Sequence, residues 1–421
     1  MVSATDSSTT LEHRLVVDGT AWERCLRSLL GGTSLCAVGA IRRHDTSTHR
    51  EWLVDALELV DRWPRGQDWP PLTDRLLLVL DRDSTMAIRA ILDQIEPRAS
   101  QTIVILQVSL DEFGRWDGIV IHDNNRQRIE EVRVVGSRML RLPREESAGV
   151  LETPTEGRPS RTMGALGADL WQQIRDSHVL LVGCGRNGTL AAWQLVGLGV
   201  SRLTLVDPDQ LEIENLDGMP GLAMTNVGQL KATALAQKLV EFNPDLSLCC
   251  ITEPVKDALR QLRSRFDLVV TCVDDDAARL AASWLSRERL IPHLDIGTTV
   301  RRDGDETGEL AGDIRLLLPF EGCVSCVGGL ADPEAALYEL AAPPHALHRG
   351  EPTVWHQQRA GSLAHWNAIT IGTAMEIWLS LLRGSVGSFW KRLVCPTGNA
   401  EIQFNSAPVS KDDSCQFCQR H

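Results

Sequence analysis

The stretch His178-Val-Leu-Leu-Val-Gly183-Cys-Gly185-Arg-Asn-Gly188 passes from a short apolar run directly into glycines spaced as GxGxxG. An apolar-periodic segment, Thr189 to Leu198, follows at once. This succession predicts a buried strand, a tight turn and a helix. Gly183, Gly185 and Gly188 allow the turn and let backbone N–H groups approach phosphate oxygens at a helix N-terminus, where negative charge is favoured. A nucleotide is the expected ligand, and a plain tight turn is the competing reading.

Working outward, a second strand is predicted at Leu203–Val206, a helix at Gln229–Glu241, and strands near Leu248–Thr252 and at Leu268–Val273. Strand and helix alternating in this way imply an α/β, Rossmann-like and mostly parallel sheet covered on both faces. Asp207 ends the second strand, where an acidic side chain hydrogen-bonds a ribose hydroxyl. To this point a nicotinamide-dependent dehydrogenase fits equally well, because the glycine motif does not identify the nucleotide.

Four further residues narrow the chemistry. Asn215 lies in DPDQLEIEN, Lys231 in NVGQLK, Asp274 ends DLVVTCVD and Arg279 closes VDDDAAR. The carboxyl ends of parallel strands face the ligand crevice, which places Asp274 with Gly183 and Asp207. A carboxylate there can hold Mg²⁺ between phosphate oxygens, and Lys231 can neutralise charge that grows as pyrophosphate departs. Hydride transfer needs neither group. Against this, Asp274, Asp275 and Asp276 are all good helix N-caps, and Lys231 reads equally as a solvated helix residue. Only five of the 43 basic residues are lysine, which makes its placement here less ordinary.

Cys323-Val-Ser-Cys326 and Cys415-Gln-Phe-Cys418 are two CxxC pairs. Each presents two thiolates from one turn, and together they complete a tetrahedral Cys₄ zinc site. Such a closed site stabilises and leaves no coordination position for a substrate.

The chain has 421 residues, which suggests two domains. Residues 143–160, rich in Pro, Glu, Ser, Thr and Gly, read as a linker between a smaller α+β part (1–142) and a larger α/β part (161–421). In the first part a helix is expected at Trp22–Leu30 and another at Ser84–Ile95. Strands are expected at Leu35–Ile41 and Glu51–Val60, as a possible pair, then at Arg75–Leu80, Thr102–Val108, Gly118–His122 and Glu131–Val135. A net charge of −13 argues against nucleic acid as a general partner. Ala368–Leu382 is the best membrane candidate, but Glu376 interrupts it and it is short for a bilayer span, so a buried helix and no membrane partner are expected. Eleven cysteines with no secretory pattern at the N-terminus point to a reducing cytoplasm.

The ordered set GCGRNG, LVDPD, EN-L, VGQLK, TCVDDDAAR, CVSC and CQFC resembles the ubiquitin-activating-type (ThiF/MoeB/HesA) adenylyltransferases, from about Arg161 to the end of the sequence. The resemblance implies that the C-terminal glycine carboxylate of a ubiquitin-like protein attacks the α-phosphate of ATP, giving an acyl-adenylate and pyrophosphate. It implies that Asp207 binds ribose, Asn215 and Lys231 contact phosphates, and Asp274 positions Mg²⁺. It places at Arg161 an arginine finger supplied by the partner subunit, so that the active unit is a homodimer; Arg158 is the rival. It also implies a downstream conjugating or sulfur-transfer protein in a bacterial pathway.

Two departures stand out. The family usually continues after Asn-Leu with Arg-Gln, whereas this chain reads Asn215-Leu216-Asp217-Gly218-Met219. A phosphate-binding arginine is therefore missing at 218, and Arg186, inside the glycine loop, is the candidate replacement. Members that form a thioester carry a cysteine ahead of the helix that here begins near 360–362, but no cysteine lies between Cys326 and Cys395. Adenylation without an enzyme thioester is expected, and a short peptide substrate or a non-catalytic scaffold are the alternatives. Residues 11–142 faintly resemble the JAB/MPN fold without its His-x-His-Pro segment, which implies a catalytically inactive accessory domain.

Overall fold

A computed structural model describes residues 12–30, 36–46, 49–60, 74–81, 102–109, 116–122, 125–137, 139–143, 160–259, 261–303, 306–319, 321–341, 362–396 and 401–419. The chain separates into two compact units, Met1–Glu152 and Thr153–His421.

The first unit comprises β1 (Glu12–Asp18), α1 (Gly19–Leu30), β2 (Cys36–Ala40), β3 (Arg42–Asp45), β4 (His49–Val54), β5 (Glu58–Val60), β6 (Arg75–Asp81), β7 (Ile103–Ser109), β8 (Trp116–His122), β9 (Asn125–Val135) and β10 (Leu140–Pro143). Its strands form one mixed sheet ordered β3-β4-β1-β9-β8-β7-β6-β2-β5, with β10 beside β9. The helix begins at Gly19, three residues before the apolar pattern starts, because Asp18 Oδ1 accepts the Ala21 N–H at 2.9 Å and sets the cap. The expected strand Glu51–Val60 is divided. Its first half pairs with β1 and β3, and only Glu58–Val60 pairs with β2. Leu15, Val17, Trp22, Cys25, Trp52 and Leu106 form the centre of the core. The expected helix Ser84–Ile95 lies outside the described residues.

The second unit holds α2 (Ser160–Leu166), α3 (Ala168–Asp176), β11 (His178–Val182), α4 (Arg186–Leu198), β12 (Arg202–Val206), α5 (Lys231–Phe242), β13 (Ser247–Ile251), α6 (Val255–Ala258), β14 (Leu268–Thr271), α7 (Asp276–Glu288), β15 (His293–Asp303), β16 (Glu306–Leu317), α8 (Pro333–Ala341), α9 (Ala364–Leu382), β17 (Phe389–Pro396), β18 (Gln403–Pro408) and α10 (Gln416–Gln419). Its sheet runs β13-β12-β11-β14-β15-β16-β17-β18. Pairing is parallel from β13 to β15 and antiparallel from β15 to β18. The Rossmann-like parallel half is thus extended by an antiparallel one. From β11 the chain builds outward through β12 in one direction and through β14 in the other. A crevice opens at such a switch point, outside the carboxyl ends of the strands.

Helix α9 packs its Trp366, Ile371 and Trp378 into the interior, with Thr370 seated on Gly312 of β16. Glu376 stays exposed and pairs with Arg383 at 3.0 Å. Among the described residues no helix is long and apolar enough to cross a membrane.

Candidate nucleotide site and cysteine cluster

The glycine loop lies at the β11/β14 switch point. Gly183 has φ +91°, and a Cβ there would stand 2.6 Å from the Cys272 carbonyl oxygen at the end of β14. A Cβ on Gly188 would overlap the Gly183 carbonyl oxygen, so only glycine lets α4 start this close to its strand. That closeness moves the helix start to Arg186, earlier than the apolar period from Thr189 indicates. Gly185 caps α4 without any side-chain hydrogen bond, and nothing lies within 4 Å of the Cβ it lacks. The first N–H groups of a helix have no intrahelical acceptors, and at such a start they are available to an anion.

Asp207 braces this loop. It is 5% exposed; its Oδ2 accepts the Cys184 N–H at 2.6 Å and its Oδ1 accepts the Asp209 N–H at 2.8 Å. Burial raises its pKa against the opposing pull of Lys231 and the two N–H groups. Each carboxylate oxygen retains a second lone pair. Cys184 itself is fully buried, and burial pushes its thiol well above the ordinary range, which suits a packing role.

Lys231, the first residue of α5, donates from Nζ to Asp209 Oδ2 at 2.9 Å. Burial works against its ammonium, but Asp207, Asp209 and Asp274 outweigh that and hold its pKa above the ordinary lysine value. Lys231 is thus a cation surrounded by three carboxylates at the strand ends. Asp209, a residue the motif reading passed over, is its direct partner; the repeated acid in Asp207-Pro-Asp209 was the available signal.

The three consecutive aspartates separate by role. Asp275 caps α7 by accepting the Ala277 N–H at 2.8 Å. Asp276 Oδ2 accepts the Ala331 and Asp332 N–H groups at 2.6 and 3.1 Å. Asp274 is exposed beyond the end of β14, and its carboxylate has no hydrogen-bond partner among the described residues. It is the one of the three left open to a cation.

Arg186 turns back over the 3₁₀ turn Ile213–Gly218. Its Nη1 donates to the Ser362 carbonyl at 2.8 Å, and its Nη2 donates to the Glu214 carbonyl at 2.9 Å and pairs with Asp217. Asn215, in the same turn, accepts the Glu212 N–H at 3.0 Å and so fixes the turn's start. Gly183, Asp207, Lys231 and Asp274 therefore share one end of the sheet, with Arg186 and the Asn215 turn beside the loop. Arg161 is not brought to them; it is exposed on α2, with no ion-pair partner among the described residues. Arg158 lies outside the described residues.

Arg279 faces inward. Its Nε binds Asp295 Oδ1 at 2.9 Å, and the second oxygen of this fully buried carboxylate takes Arg315 Nη1 at 2.8 Å. Thr271 Oγ1 also donates to Asp295, at 2.6 Å. Burial alone would raise the Asp295 pKa, but the two guanidinium groups hold it below the ordinary value.

Cys323, Cys326, Cys415 and Cys418 converge, with all four sulfurs within 4.8 Å of one another. The separations Cys323–Cys326, Cys323–Cys415 and Cys326–Cys418 are 3.6, 3.7 and 3.5 Å. These exceed a disulfide by far and match the edge of a tetrahedron with Zn–S bonds of about 2.3 Å. The Asp412 N–H points at the Cys326 sulfur at 3.4 Å, a contact that favours thiolate. The donor set fits Zn²⁺. Phe417, Leu280, Leu317 and Val324 pack around the cluster, which binds the C-terminal segment to α7.

The ThiF family model matches residues 159–348. The sulfur carrier protein ThiS adenylyltransferase of Escherichia coli (strain K12) is 34% identical over 109 residues, 26% of this chain and 43% of that protein. Ubiquitin-like modifier-activating enzyme 5 of Oryza sativa subsp. japonica is 30% identical over 173 residues, 38% of this chain and 39% of that protein. The chain thus spans less than half the length of either relative. The structure of E. coli MccB with ATP aligns over 66% of this chain and 77% of that one, at 18% identity and a TM-score of 0.46. Residues 159–348, which hold the glycine loop, Asp207, Lys231, Asp274 and the first cysteine pair, are a ThiF family domain.

Proposed function

We propose that this chain activates a carboxyl terminus by ATP-dependent adenylation. The observation that carries the reading is the grouping of Lys231 and the open carboxylate of Asp274 with the glycine loop at one switch point. The loop N–H groups and Arg186 hold phosphate oxygens, with Asn215 beside them, and Asp207 faces the ribose. Asp274 would hold Mg²⁺, which neutralises phosphate charge when bound. A substrate carboxylate attacks the α-phosphorus, an acyl–phosphate bond forms, and pyrophosphate leaves with its new charge met by Lys231. The Cys₄ site would hold Zn²⁺ in a structural role.

The substrate we favour is a ubiquitin-like protein ending in glycine, in keeping with the relatives' printed names. Arg161 from a second copy would complete the site in a cytoplasmic homodimer, and a downstream conjugating or sulfur-transfer protein would take the product. Residues 1–142 serve as an accessory domain ahead of a linker at 143–160. A short peptide is the second substrate reading, favoured by one observation: no cysteine lies between Cys326 and Cys395 to receive an acyl group. ATP–pyrophosphate exchange with diglycine-ended proteins and with short peptides separates the two. No exchange with either class, from folded zinc-bound chain, sinks adenylation and leaves a binding scaffold. A thiol-sensitive enzyme–substrate conjugate on a non-reducing gel overturns the absence of a thioester.

A further inference from the structure

The Cys₄ cluster touches none of the nucleotide-site residues, yet a single guanidinium joins the two. Arg279 Nη2 donates to the Val273 carbonyl at 2.6 Å, in the peptide unit that leads directly into Asp274. Arg279 Nη1 donates to the Gly329 carbonyl at 3.1 Å, three residues beyond Cys326. The loop from Cys323 to Gly329 is folded on itself by Gly328 N–H to Ser325 O (3.1 Å) and Gly329 N–H to Val324 O (2.9 Å). It has no slack at Gly329, where a Cβ would stand 2.7 Å from Val324 Cγ2 and 3.0 Å from Arg315 Nε.

The guanidinium cannot shift, because Asp295 holds its Nε and is itself buried and gripped by Arg315. Asp276 adds a second strap from the same turn of α7, through the Ala331 and Asp332 N–H groups. A guanidinium suits this task, since its fixed fork serves four acceptors at once, the fourth being Asp276 Oδ1 at 3.3 Å, whereas an ammonium is a single point charge.

We infer that Arg279 is a positioning residue through which the zinc-bound knuckle sets the backbone at Val273–Asp274. The order of a structural metal site thereby sets the affinity for magnesium-bound nucleotide. This rests on the adenylation reading, with Asp274 as the magnesium ligand. Simple support of the fold is the competing role, and the two differ in what else they disturb. A clamp acts only where Asp274 acts, so its loss weakens Mg·ATP and spares magnesium-free ATP.

The test is calorimetric binding of ATP with and without magnesium to the full chain, with zinc content measured in each sample. Arg279→Lys is expected to keep its zinc, bind magnesium-free ATP as wild type does, and weaken Mg·ATP on the order of tenfold. It should add nothing when combined with Asp274→Asn, as two residues acting through one interaction require. Graded chelation of zinc from the wild-type chain should weaken Mg·ATP in the same selective way, and this arm holds even where a variant fails to fold. The clamp is overturned if Arg279→Lys binds Mg·ATP as wild type, if its loss is equal with and without magnesium, or if it adds fully to Asp274→Asn. Wild-type chain that binds no ATP in either condition removes the adenylation reading, and the clamp with it.

Discussion

The side chain of Arg186 occupies the space that a side chain at Gly218 would need. A Cβ on Gly218 would stand 2.7 Å from Arg186 Cδ, 2.8 Å from its Cγ and 3.0 Å from its Nε. The two positions are alternatives for one arginine. A chain with glycine at 218 admits an arginine from 186, and a chain with arginine at 218 would exclude it. The prediction is a reciprocal one. Arg186→Gly should raise the KM for ATP in pyrophosphate exchange by about tenfold or more, the loss of a charged hydrogen bond of about 1.5–3 kcal/mol. Gly218→Arg alone should be harmful through the clash. The double variant should recover much of the lost affinity; if it is no better than Arg186→Gly, the exchange of roles is wrong.

Lys231 should matter to turnover more than to binding. Its ammonium sits among Asp207, Asp209 and Asp274, and in the adenylation proposed above it would meet charge that appears only as pyrophosphate leaves. Lys231→Ala is expected to lower the kcat of exchange about 10²–10³-fold with a smaller change in KM. A rise in KM alone, with kcat intact, would reassign it to ground-state binding.

The two glycines of the loop should fail differently. Gly188→Ala drives a methyl into the Gly183 carbonyl and should destabilise the chain by about 1–3 kcal/mol in urea unfolding. Gly185→Ala meets open space, so it should keep near-wild-type stability and lose nucleotide affinity. Equal stability of both variants would contradict the packing described for Gly188.

The cysteine cluster predicts one zinc per chain by elemental analysis. Cys415→Ser or Cys418→Ser should release it and lower the melting temperature of the full chain, because the four sulfurs join the tail carrying Phe417 to the Cys323–Cys326 loop. Undiminished zinc content in both variants would refute the four-sulfur site.

Acid should weaken the second unit through two buried histidines. Burial lowers His293 from 6.5 to about 4, and burial with Arg202 does the same for His178. Between pH 6.5 and 4 the unfolded chain binds these protons and the folded chain does not, so stability falls as pH falls through that window. His293, fully buried, contributes on the order of 3 kcal/mol across this whole window. Urea midpoints at pH 7 and 5 check it; a flat profile would show that His293 is not buried neutral.

What was legible in the sequence followed from local chemistry. A strand leading into GxGxxG, an aspartate at the next strand end, a lysine opening a helix and two CxxC pairs each carry their meaning within a few residues, because backbone geometry and ligand type are local constraints. From these the parallel α/β half, the glycine turn and the four converging sulfurs could be read, as could the resemblance to the family whose model matches residues 159–348.

Element starts were less legible, since a helix begins where a cap or a close approach permits, at Asp18 or beside Gly188, and the apolar period reports only its middle. Only the tertiary structure divided Asp274, Asp275 and Asp276 into an open carboxylate, a cap and a strap, because their identities are the same and their partners lie up to 56 residues away. It alone placed Arg186 over Gly218, paired Lys231 with Asp209 and sent Arg279 inward to Asp295. Sequence determined which groups this chain possesses; the fold decided which partners each one meets, because residues distant in the chain become neighbours only when the sheet and helices pack.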